Sequence, residues 1–459
     1  MSIFHQYDIR GIYGEELDEK FAYNLGKAVV AYTKAKSIII GYDSRFGNLK
    51  LFSAFAKSVT EQGVEVVHAG LISRPMLNYI SWKHKYDLAV CISASHNPKE
   101  YNGFKFILRG KPFSYETGLN EVESLMKKDI NYAKAKKPGK IISIDFIDEY
   151  VKFLSNNLSG DCKNYIKEKN LRIVADTSNG SVGEIMRRFL LVNGITNKLL
   201  FANPDGAFPC HDPNPLNPAS TIILSENVKK FKADVGVILD PDADRIKFVD
   251  NNGDVVDNNY IDCLIVEDLL KKRKGATIVH DLIARKILTE TIIKNHGKSV
   301  DSRVGSVNIG YIMFKKKAVY GCEVSGHRFF DNMNNLDSGM MSFVYLLNSL
   351  YSKERAGKKL SQLWKKYDIY PDLGEVNYKL AEGKDKQKVM DAIQKYYNDN
   401  KKKLNVISIS NLDGVSIVTG MYWFNVRPSN TEPLLRLRAE GKDKKALEQL
   451  KIELEKFII

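Results

Sequence analysis

Three aspartates at alternate positions give the strongest chemical signal in the sequence. Asp240, Asp242 and Asp244 follow a short apolar run, and Arg245 comes directly after them with a guanidinium that suits a phosphoryl group. Three carboxylates this close together converge only around a cation, and a hard divalent ion such as Mg²⁺ takes oxygen ligands of this kind. An EF-hand calcium loop is excluded, because it requires glycine and glutamate where Arg245 and Asn251 stand. The alternative is an acidic surface turn without a metal.

A second loop places a serine next to a histidine. Ser95 and His96 lie in the loop 93–98, which follows another apolar run and ends in proline. The G-x-S-x-G elbow of serine hydrolases is absent, which disfavours acyl transfer, while a turn or capping role for Ser95 and Asn97 stays open. Lys105 follows shortly afterwards and returns a positive charge toward the loop. A serine, a lysine and a separate metal cluster favour phosphoryl transfer.

A third loop, near the C-terminus, has the composition of a phosphate cradle. Arg427, Ser429, Asn430 and Thr431 supply a guanidinium, hydroxyls, an amide and backbone N–H groups within a few residues. The chain has neither a Walker lysine loop nor a GxGxxG fingerprint, so a phosphate would be bound in another way. An ordinary proline-bounded turn is the alternative for this loop on its own.

A fourth loop suits the hydroxyl groups of a sugar. Glu323, Ser325 and His327 surround Gly326, and a carboxylate with a hydroxyl can hydrogen-bond a polyol. A buried structural histidine is the alternative for His327. Because the loops suited to phosphate and to sugar lie on different predicted domains, we expect a cleft between domains.

Each polar loop follows a short apolar run that predicts a buried strand. The runs are rich in Val and Ile without alternation, which is typical of strands covered on both faces by helices, and ligands bind where such strands end. The predicted strands are 37–40, 88–92, 173–175, 235–239 and 318–320. Apolar residues at three- and four-residue spacing predict helices at 20–32, 50–61, 115–127, 146–158, 258–273 and 342–353.

The order of these elements predicts four domains. Strands alternating with helices indicate α/β domains with mixed, mostly parallel sheets at 1–145, 146–253 and 254–367. The turn at 370–374 opens a segment with a different pattern, which predicts a smaller C-terminal α+β domain at 368–459. The length alone would suggest about three domains.

Composition excludes several classes of protein. With 44% apolar and 10% aromatic residues among 459, the chain is neither disordered nor fibrous. Its five cysteines are scattered without a CxxC pair, which argues against a disulfide framework or a thiolate zinc site. We find no apolar run of the ~20 residues that a bilayer requires and no secretory signal at the N-terminus. We therefore expect a cytoplasmic protein that does not act at a membrane.

The net charge of +14 is compatible with two classes of partner. One is the phosphate backbone of a nucleic acid, and the other is a small anionic substrate. No zinc finger, basic leucine zipper or RNA-recognition signature is present. The sequence therefore favours the small anion.

Together the loops resemble those of the α-D-phosphohexomutases, most closely the bacterial phosphomannomutase/phosphoglucomutase branch. The resemblance runs from the N-terminal segment Tyr7-Asp8-Ile9-Arg10-Gly11 to the Arg427 loop, with the loops in the family's order. It implies three related α/β domains and a distinct C-terminal domain around a central cleft. It also implies that Ser95 is carried as a phosphoserine and binds Mg²⁺ together with the three aspartates.

The resemblance further assigns catalytic and substrate-binding residues. It implies catalytic roles for Ser95, His96, Lys105 and Arg245. It implies substrate binding by Tyr7, Arg10, Arg303, Glu323, Ser325, His327, Arg427, Ser429, Asn430 and Thr431. The chain departs from close relatives at Pro241 and Cys322, where the family often has glycine, and at 303–306, where Arg303 and Ser306 replace a lysine and a histidine. Arginine can hold a phosphate but cannot donate a proton at neutral pH.

The activity implied by the resemblance is the interconversion of hexose 6-phosphate and hexose 1-phosphate. Mannose phosphates are the expected substrates, and glucose phosphates are expected to react as well, through a phosphoserine enzyme and a hexose 1,6-bisphosphate. A phosphoglucosamine mutase and a basic nucleic-acid-binding protein are the alternatives. The expected partners are small sugar phosphates rather than nucleic acid, and the expected state is a monomer or weak homodimer.

Overall fold

A computed structural model of the chain describes residues 3–128, 134–380, 384–429 and 434–458. The chain divides into two compact units. The first unit is Met1–Asn258 with Ser325–Leu363, and the second is Asn259–Val324 with Trp364–Ile459. Among the described residues, no helix is both long enough and apolar enough to cross a membrane.

The N-terminal sheet has seven strands in the order β1-β5-β4-β2-β3-β7, with β6 paired to β5. The strands β2, β3, β4 and β7 are parallel, and β1, β5 and β6 run antiparallel to their neighbours. Phe55 stacks on Phe104 in the core, with ring centroids 5.7 Å apart. The elements are β1 Ile9–Ile12, α1 Glu19–Thr33, β2 Ser37–Tyr42, α2 Asn48–Glu61, β3 Glu65–Leu71, α3 Arg74–Lys83, β4 Leu88–Ile92, β5 Tyr101–Leu108, β6 Lys111–Phe113, α4 Leu119–Lys127 and β7 Ile141–Ser143.

The second sheet of the first unit has the order β12-β11-β10-β8-β9. Its strands β8, β9 and β10 are parallel, and every residue of β10 is buried, as its unbroken apolar sequence predicts. The elements are α5 Ile147–Asn156, α6 Gly160–Lys169, β8 Arg172–Asp176, α7 Gly183–Val192, β9 Thr196–Leu200, α8 Ile222–Phe231, β10 Val235–Leu239, β11 Ile246–Asp250 and β12 Val255–Val256.

The next part of the chain contributes to both units. In the second unit, β14, β13 and β15 form a parallel group, and in the first unit β16 and β17 form an antiparallel pair. The elements are α9 Asn258–Lys272, β13 Thr277–Asp281, α10 Lys286–Lys294, β14 Lys298–Ser302, α11 Ser306–Lys316, β15 Tyr320–Cys322, β16 Arg328–Phe330, β17 Leu336–Asp337, α12 Gly339–Leu350 and α13 Leu360–Leu363.

The C-terminal segment forms an antiparallel sheet in the order β18-β22-β21-β20-β19. Apolar faces of its two helices share one core with the sheet, in which Ile393 and Leu454 lie with Phe424 and Leu437. The elements are β18 Asp372–Lys379, α14 Lys386–Asp399, β19 Val406–Ser410, β20 Val415–Thr419, β21 Tyr422–Pro428, β22 Leu434–Gly441 and α15 Lys444–Ile458. The C-terminal segment is therefore of the α+β class, as predicted, whereas the preceding domains are of the α/β class.

Several predicted boundaries are wrong, among them the start of the helix predicted at 115–127, which begins at Leu119 after a separate 3₁₀ turn at Tyr115–Thr117, and two others have local reasons. The strand predicted at 318–320 spans Tyr320–Cys322, because the Ala318 N–H donates to the Met313 carbonyl and closes the end of α11. The helix predicted at 342–353 begins at Gly339, because the Ser338 hydroxyl accepts the Met341 N–H and caps its first turn.

Candidate active site

The three aspartates predicted to bind a metal converge in the loop between β10 and β11. Asp240, Asp242 and Asp244 are at most 1% exposed, and one oxygen from each lies within 4.8 Å of the others. A turn closed by the Ala243 N–H on the Asp240 carbonyl folds the loop back. We call these three residues the carboxylate cluster.

Cations from the N-terminal sheet face the carboxylate cluster. Lys105 on β5 donates to Asp242 at 2.8 Å and to Asp244 at 3.3 Å. Arg74, the first residue of α3, donates to Asp244 at 2.6 Å, and its backbone N–H donates to the Asp242 carbonyl. These contacts join two sheets of the first unit at one point.

The surroundings shift the pKa values of Asp240 and Asp244 in opposite directions. Burial, reinforced by Asp244 and Asp242, raises the pKa of Asp240 well above its ordinary value. Burial also opposes ionisation of Asp244, but Lys105 and other nearby cations outweigh it and hold the pKa of that carboxyl well below its usual range. Such divergent pKa values are typical of functional sites.

The carboxylate cluster fits a divalent cation. The Oδ1 atoms of Asp242 and Asp244 are buried and accept no hydrogen bond from the part of the chain that the structure describes. A buried carboxylate oxygen without a donor is costly unless a cation neutralises it. Together with the convergence of three oxygens, these two atoms make the cluster a candidate metal site.

Ser95 lies beside the carboxylate cluster, as the sequence predicts. It is 1% exposed, and its Oγ lies 3.2 Å from an Asp240 carboxylate oxygen. His96 approaches from the other side, with Nδ1 at 3.3 Å from the same Oγ. The serine hydroxyl thus contacts both the His96 ring and a carboxylate of the carboxylate cluster.

His96 and Lys105 differ as carriers of a proton. Burial, followed by the charges of Arg245 and Arg10, lowers the pKa of His96 well below its ordinary value, so its ring is neutral at pH 7. For Lys105, burial lowers the pKa, but Asp242 and Asp244 more than compensate and raise it. His96 is therefore neutral and, because its pKa is lowered, only a weak base, whereas Lys105 carries a fixed positive charge.

His327 contacts Arg245, the residue that directly follows the carboxylate cluster. Its Nε2 accepts a hydrogen bond from Arg245 Nε at 2.9 Å, and its Nδ1 lies 2.9 Å from Asp337. Asp337 also binds Arg74 at 3.0 Å. In this arrangement His327 orients Arg245. The predicted substrate contact of His327 remains a prediction.

Two further predicted residues lie at the start of the chain. Arg10 donates to the Asn97 side chain at 2.5 Å and to Asp8 at 2.8 Å, which places it against the Ser95 loop. Tyr7 lies half-buried in the bend before β1. Ser325 is half-buried in the turn between β15 and β16.

Of the residues predicted to bind the substrate, Glu323 and Arg303 lie in the second unit, whereas Ser325 and His327 lie in the first. Glu323 accepts the Gly305 N–H at 2.6 Å and is 4% exposed. Arg303 is exposed, and its Nε donates to the Leu412 carbonyl at 2.9 Å, so its side chain bridges two segments of this unit. The loop at 303–306 and the turn at Glu323 are therefore neighbours, as their predicted shared role requires.

The predicted phosphate loop also lies in the second unit, at the end of β21. Arg427 binds Glu375 at 2.7 Å, and Arg436 binds the other oxygen of the same carboxylate at 3.0 Å. Ser429 Oγ lies 3.4 Å from Arg436. Asn430 and Thr431, which were predicted for this loop, lie outside the described residues.

Two residues that contact the carboxylate cluster carried no recognisable sequence signal, and neither did Asp281 of the second unit. Arg74 and Asp337 come from segments without a motif, and only tertiary contact brings them to Asp244. Asp281, at the end of β13, accepts the Val324 N–H at 2.9 Å. Burial, with a contribution from Glu323, raises the pKa of Asp281 to about 8.

Comparison with known proteins bears directly on this arrangement. The four domains described as phosphoglucomutase/phosphomannomutase α/β/α domains I, II and III and C-terminal domain match residues 1–133, 148–253, 257–370 and 375–456. The chain belongs to the phosphoglucomutase/phosphomannomutase family. This membership confirms the predicted architecture of three α/β domains and a C-terminal domain, and the prediction of a phosphomutase, an isomerase of hexose phosphates. The predicted domain boundaries remain predictions.

Relatives match along the whole chain. A phosphomannomutase of Methanocaldococcus jannaschii is 35% identical over 100% of this chain and 98% of its own length. A phosphomannomutase of Vibrio cholerae is 32% identical over 99% of this chain and 97% of its own length. The crystal structure of a phosphoglucomutase/phosphomannomutase family protein from Burkholderia thailandensis has the same fold, with a TM-score of 0.87 at 24% identity over 99% of this chain and 96% of that one.

Proposed function

We propose that the protein interconverts mannose 1-phosphate and mannose 6-phosphate, and the corresponding glucose phosphates, through a phosphorylated Ser95. The observation that carries this proposal is the position of the Ser95 Oγ, 3.2 Å from Asp240 in a buried carboxylate cluster with two unpaired oxygens. A serine in this place can exchange a phosphoryl group beside a cation. The names of the relatives at 32–35% identity support mannose phosphate as the substrate.

We propose that Asp240, Asp242, Asp244 and the phosphorylated Ser95 hold Mg²⁺. Bound there, Mg²⁺ would neutralise part of the negative charge on the phosphoryl group that is transferred. Lys105 and Arg245 add fixed positive charge beside the same group, which is the main requirement of phosphoryl transfer.

In the proposed reaction, a free hydroxyl of a hexose monophosphate attacks the phosphorus on Ser95. The new bond joins the sugar oxygen to phosphorus, the bond to the Ser95 Oγ breaks, and the hydroxyl proton passes through the neutral ring of His96, whose Nδ1 lies 3.3 Å from the Ser95 Oγ, to that oxygen. The product of this step is a hexose 1,6-bisphosphate. Its other phosphoryl group then returns to the serine oxygen, and a proton returns to the sugar oxygen.

We propose that the second unit supplies binding rather than chemistry. Arg427 and Ser429 would bind the phosphate that does not react, and Glu323 and Arg303 would contact sugar hydroxyls or phosphate. Because the bisphosphate must react from either end, the same groups would accept it in two orientations. Ser325, Tyr7 and Arg10 are proposed as further substrate contacts.

A substrate comparison with Ser95→Ala tests the proposal. Purified enzyme with Mg²⁺ and a trace of glucose 1,6-bisphosphate would be assayed on mannose, glucose and glucosamine 1-phosphates. We expect activity on mannose 1-phosphate, one phosphoryl group on Ser95 by intact mass and peptide mapping, and loss of both in Ser95→Ala. An active, folded Ser95→Ala enzyme would overturn the mechanism, and activity on glucosamine phosphate alone would favour a phosphoglucosamine mutase.

We also propose that the enzyme works in a reducing cytoplasm as a monomer or weak homodimer. None of its five cysteines forms a disulfide in the part of the chain that the structure describes, and four of them are buried. Duplex and single-stranded nucleic acids are not expected to bind at moderate salt, where a protein held by phosphate contacts would still show salt-dependent binding.

A further inference from the structure

The backbone at Ser95 adopts an unusual conformation that something must hold. Its φ of +54° lies in the left-handed region, which a residue with a Cβ atom rarely occupies. Ser95 is followed by an Asn97-Pro98 turn, in which the Asn97 N–H donates to the Ala94 carbonyl. The Tyr101 N–H also donates to the Pro98 carbonyl, but neither of these contacts supplies a donor to the carbonyls of Ser95 and Asn97.

Arg45, in the loop after β2, supplies those donors. Its Nη2 donates to the carbonyls of Ser95 at 2.6 Å and Asn97 at 2.5 Å. Its Nη1 donates to the carbonyls of Pro98 at 2.7 Å and Tyr101 at 3.0 Å. The side chain is 0% exposed. One buried guanidinium therefore binds both ends of the loop that carries the reactive serine.

The guanidinium is itself fixed by its surroundings. Asp43 lies 3.3 Å from Arg45 Nε, and the ring of Phe208 lies 5.0 Å from the guanidinium carbon. Asp43 also accepts the Ser93 hydroxyl at 2.6 Å, and that hydroxyl accepts the Ser95 N–H at 2.8 Å. Arg45 thus binds the Ser95 carbonyl, and Asp43 holds the Ser95 N–H through the Ser93 hydroxyl.

We propose that Arg45 is a positioning residue that fixes the Ser95 loop so that the serine Oγ faces Asp240. The inference rests on the proposed role of Ser95. With all four Nη–H groups given to carbonyl oxygens, Arg45 retains no Nη donor for a substrate phosphate, unlike an arginine that binds ligand. It acts on the reaction only through the loop.

The chemistry of the contact requires arginine rather than any cation. Four carbonyls spread over seven residues, from 95 to 101, are reached by the two arms of a planar fork. A lysine ammonium presents its three donors at one point and cannot span them. Arg45→Lys therefore keeps the charge and removes the hydrogen bonds that join the four loop carbonyls.

The test compares Arg45→Lys with Arg187→Lys, whose arginine lies on the surface of α7 and pairs with Glu184. For each enzyme, kcat and KM would be measured on mannose 1-phosphate. Phosphorylation of Ser95 by glucose 1,6-bisphosphate would be followed separately by intact mass. We expect kcat and the rate of phosphorylation to fall about 100-fold in Arg45→Lys, because small displacements of a reacting group cost about that much. KM should stay within about threefold, because Arg45 does not contact the substrate.

Asp43→Asn provides a second variant if Arg45→Lys does not fold, as judged by thermal unfolding. It keeps the size of the side chain and removes the charge that faces Arg45 Nε, and we expect about a tenfold loss in kcat with KM unchanged. Wild-type kcat in the folded Arg45→Lys enzyme, or a rise in KM alone, would overturn the inference. Failure of the proposed function is distinguishable, because the wild-type enzyme would then show neither mutase activity nor phosphorylated Ser95.

Discussion

The carboxylate cluster of the first unit and the arginine pair of the second, Arg427 with Arg436, hold charge in opposite ways. The three aspartates are at most 1% exposed and bind cations from separate segments. The two arginines share one carboxylate, Glu375, whose side chain is 32% exposed. Buried charges interact strongly and hold fixed positions, whereas partly exposed charges are weakened by solvent, and here Glu375 and Arg436 are 32% and 30% exposed although Arg427 is 7% exposed. The first arrangement suits a reaction with one geometry, and the second suits the proposed binding of a phosphate in two orientations.

Removing one charge from the carboxylate cluster should have the largest effect. We expect Asp242→Asn to lower kcat by about 10²–10³-fold, because single electrostatic groups in a buried site contribute on that scale. Asp242 accepts from both Lys105 and Ser93, and its other oxygen is unpaired, so the amide also removes a candidate metal ligand. Initial rates over a range of Mg²⁺ concentrations should show a higher Mg²⁺ requirement.

Asp148→Asn is the matched control for that experiment, because Asp148 is 86% exposed and pairs only with Arg188 among the described residues. It should retain wild-type rates at every Mg²⁺ concentration. Mn²⁺ binding followed by electron paramagnetic resonance gives a readout independent of turnover. Unchanged Mn²⁺ affinity in Asp242→Asn would show that the cluster does not bind the metal.

The sequence predicts the carboxylate cluster better than its surroundings. Ser95 follows β4 of the N-terminal sheet and the three aspartates follow β10 of the second sheet, and polar loops at the ends of such strands are predictable binding sites. Arg74 and Asp337 could not be predicted, because each is an isolated charge whose role exists only through contact with Asp244. His327 was predicted from its loop, but its bond to Arg245 depends on how the β16–β17 pair meets the metal loop.

The fold was also predictable only as far as it depends on local sequence pattern. The α/β class of the first three domains follows from local alternation of strands and helices, whereas the strand order within each sheet does not. The assignment of Ser325–Leu363 to the first unit, apart from the preceding β13–β15 group, could not be predicted from local pattern. Such an assignment depends on long-range packing, which leaves no periodic signal in the sequence.

Asp281 tests whether burial alone, in either unit, decides how strongly the surroundings act on a charged side chain. It lies in the second unit, yet its carboxyl is buried and its pKa is raised to about 8 from an ordinary 3.8. A carboxyl whose pKa is raised in the folded state stabilises the fold below its unfolded pKa and loses that contribution as pH rises toward 8. The stability of the wild-type protein should therefore fall between about pH 4 and pH 8 relative to a variant that cannot ionise.

Asp281→Asn supplies that variant, because its amide oxygen can still accept the Val324 N–H. We expect it to raise the free energy of unfolding at pH 7 by about 2–4 kcal/mol and to leave it nearly unchanged at pH 4. Urea unfolding at pH 4, 6 and 8 measures the difference. A difference independent of pH would mean that Asp281 is ionised in the folded protein.

Arg427→Ala should affect binding more than chemistry. Loss of a charge-assisted bond to phosphate costs about 1.5–3 kcal/mol, so KM for mannose 1-phosphate should rise about 10- to 100-fold. The value of kcat should change less, because Arg427 is proposed to bind the phosphate that does not react. Arg427→Lys should recover part of the affinity but lack the bidentate geometry. A fall in kcat as large as that of Asp242→Asn would remove the distinction between the two regions.

Glu375→Gln should give the smallest change and the opposite sign. The Glu375 carboxylate binds Arg427 at 2.7 Å and Arg436 at 3.0 Å, which makes it a competitor of substrate phosphate for the same guanidinium groups. Because the side chain is 32% exposed, the competition is weak, and replacing it by an amide should lower KM only about two- to fivefold. Steady-state kinetics at low and high ionic strength separate this effect from simple positioning. If the carboxylate competes with phosphate, the gain in affinity shrinks as salt screens the charges, whereas a raised KM at all ionic strengths would mean that Glu375 orients Arg427 for binding.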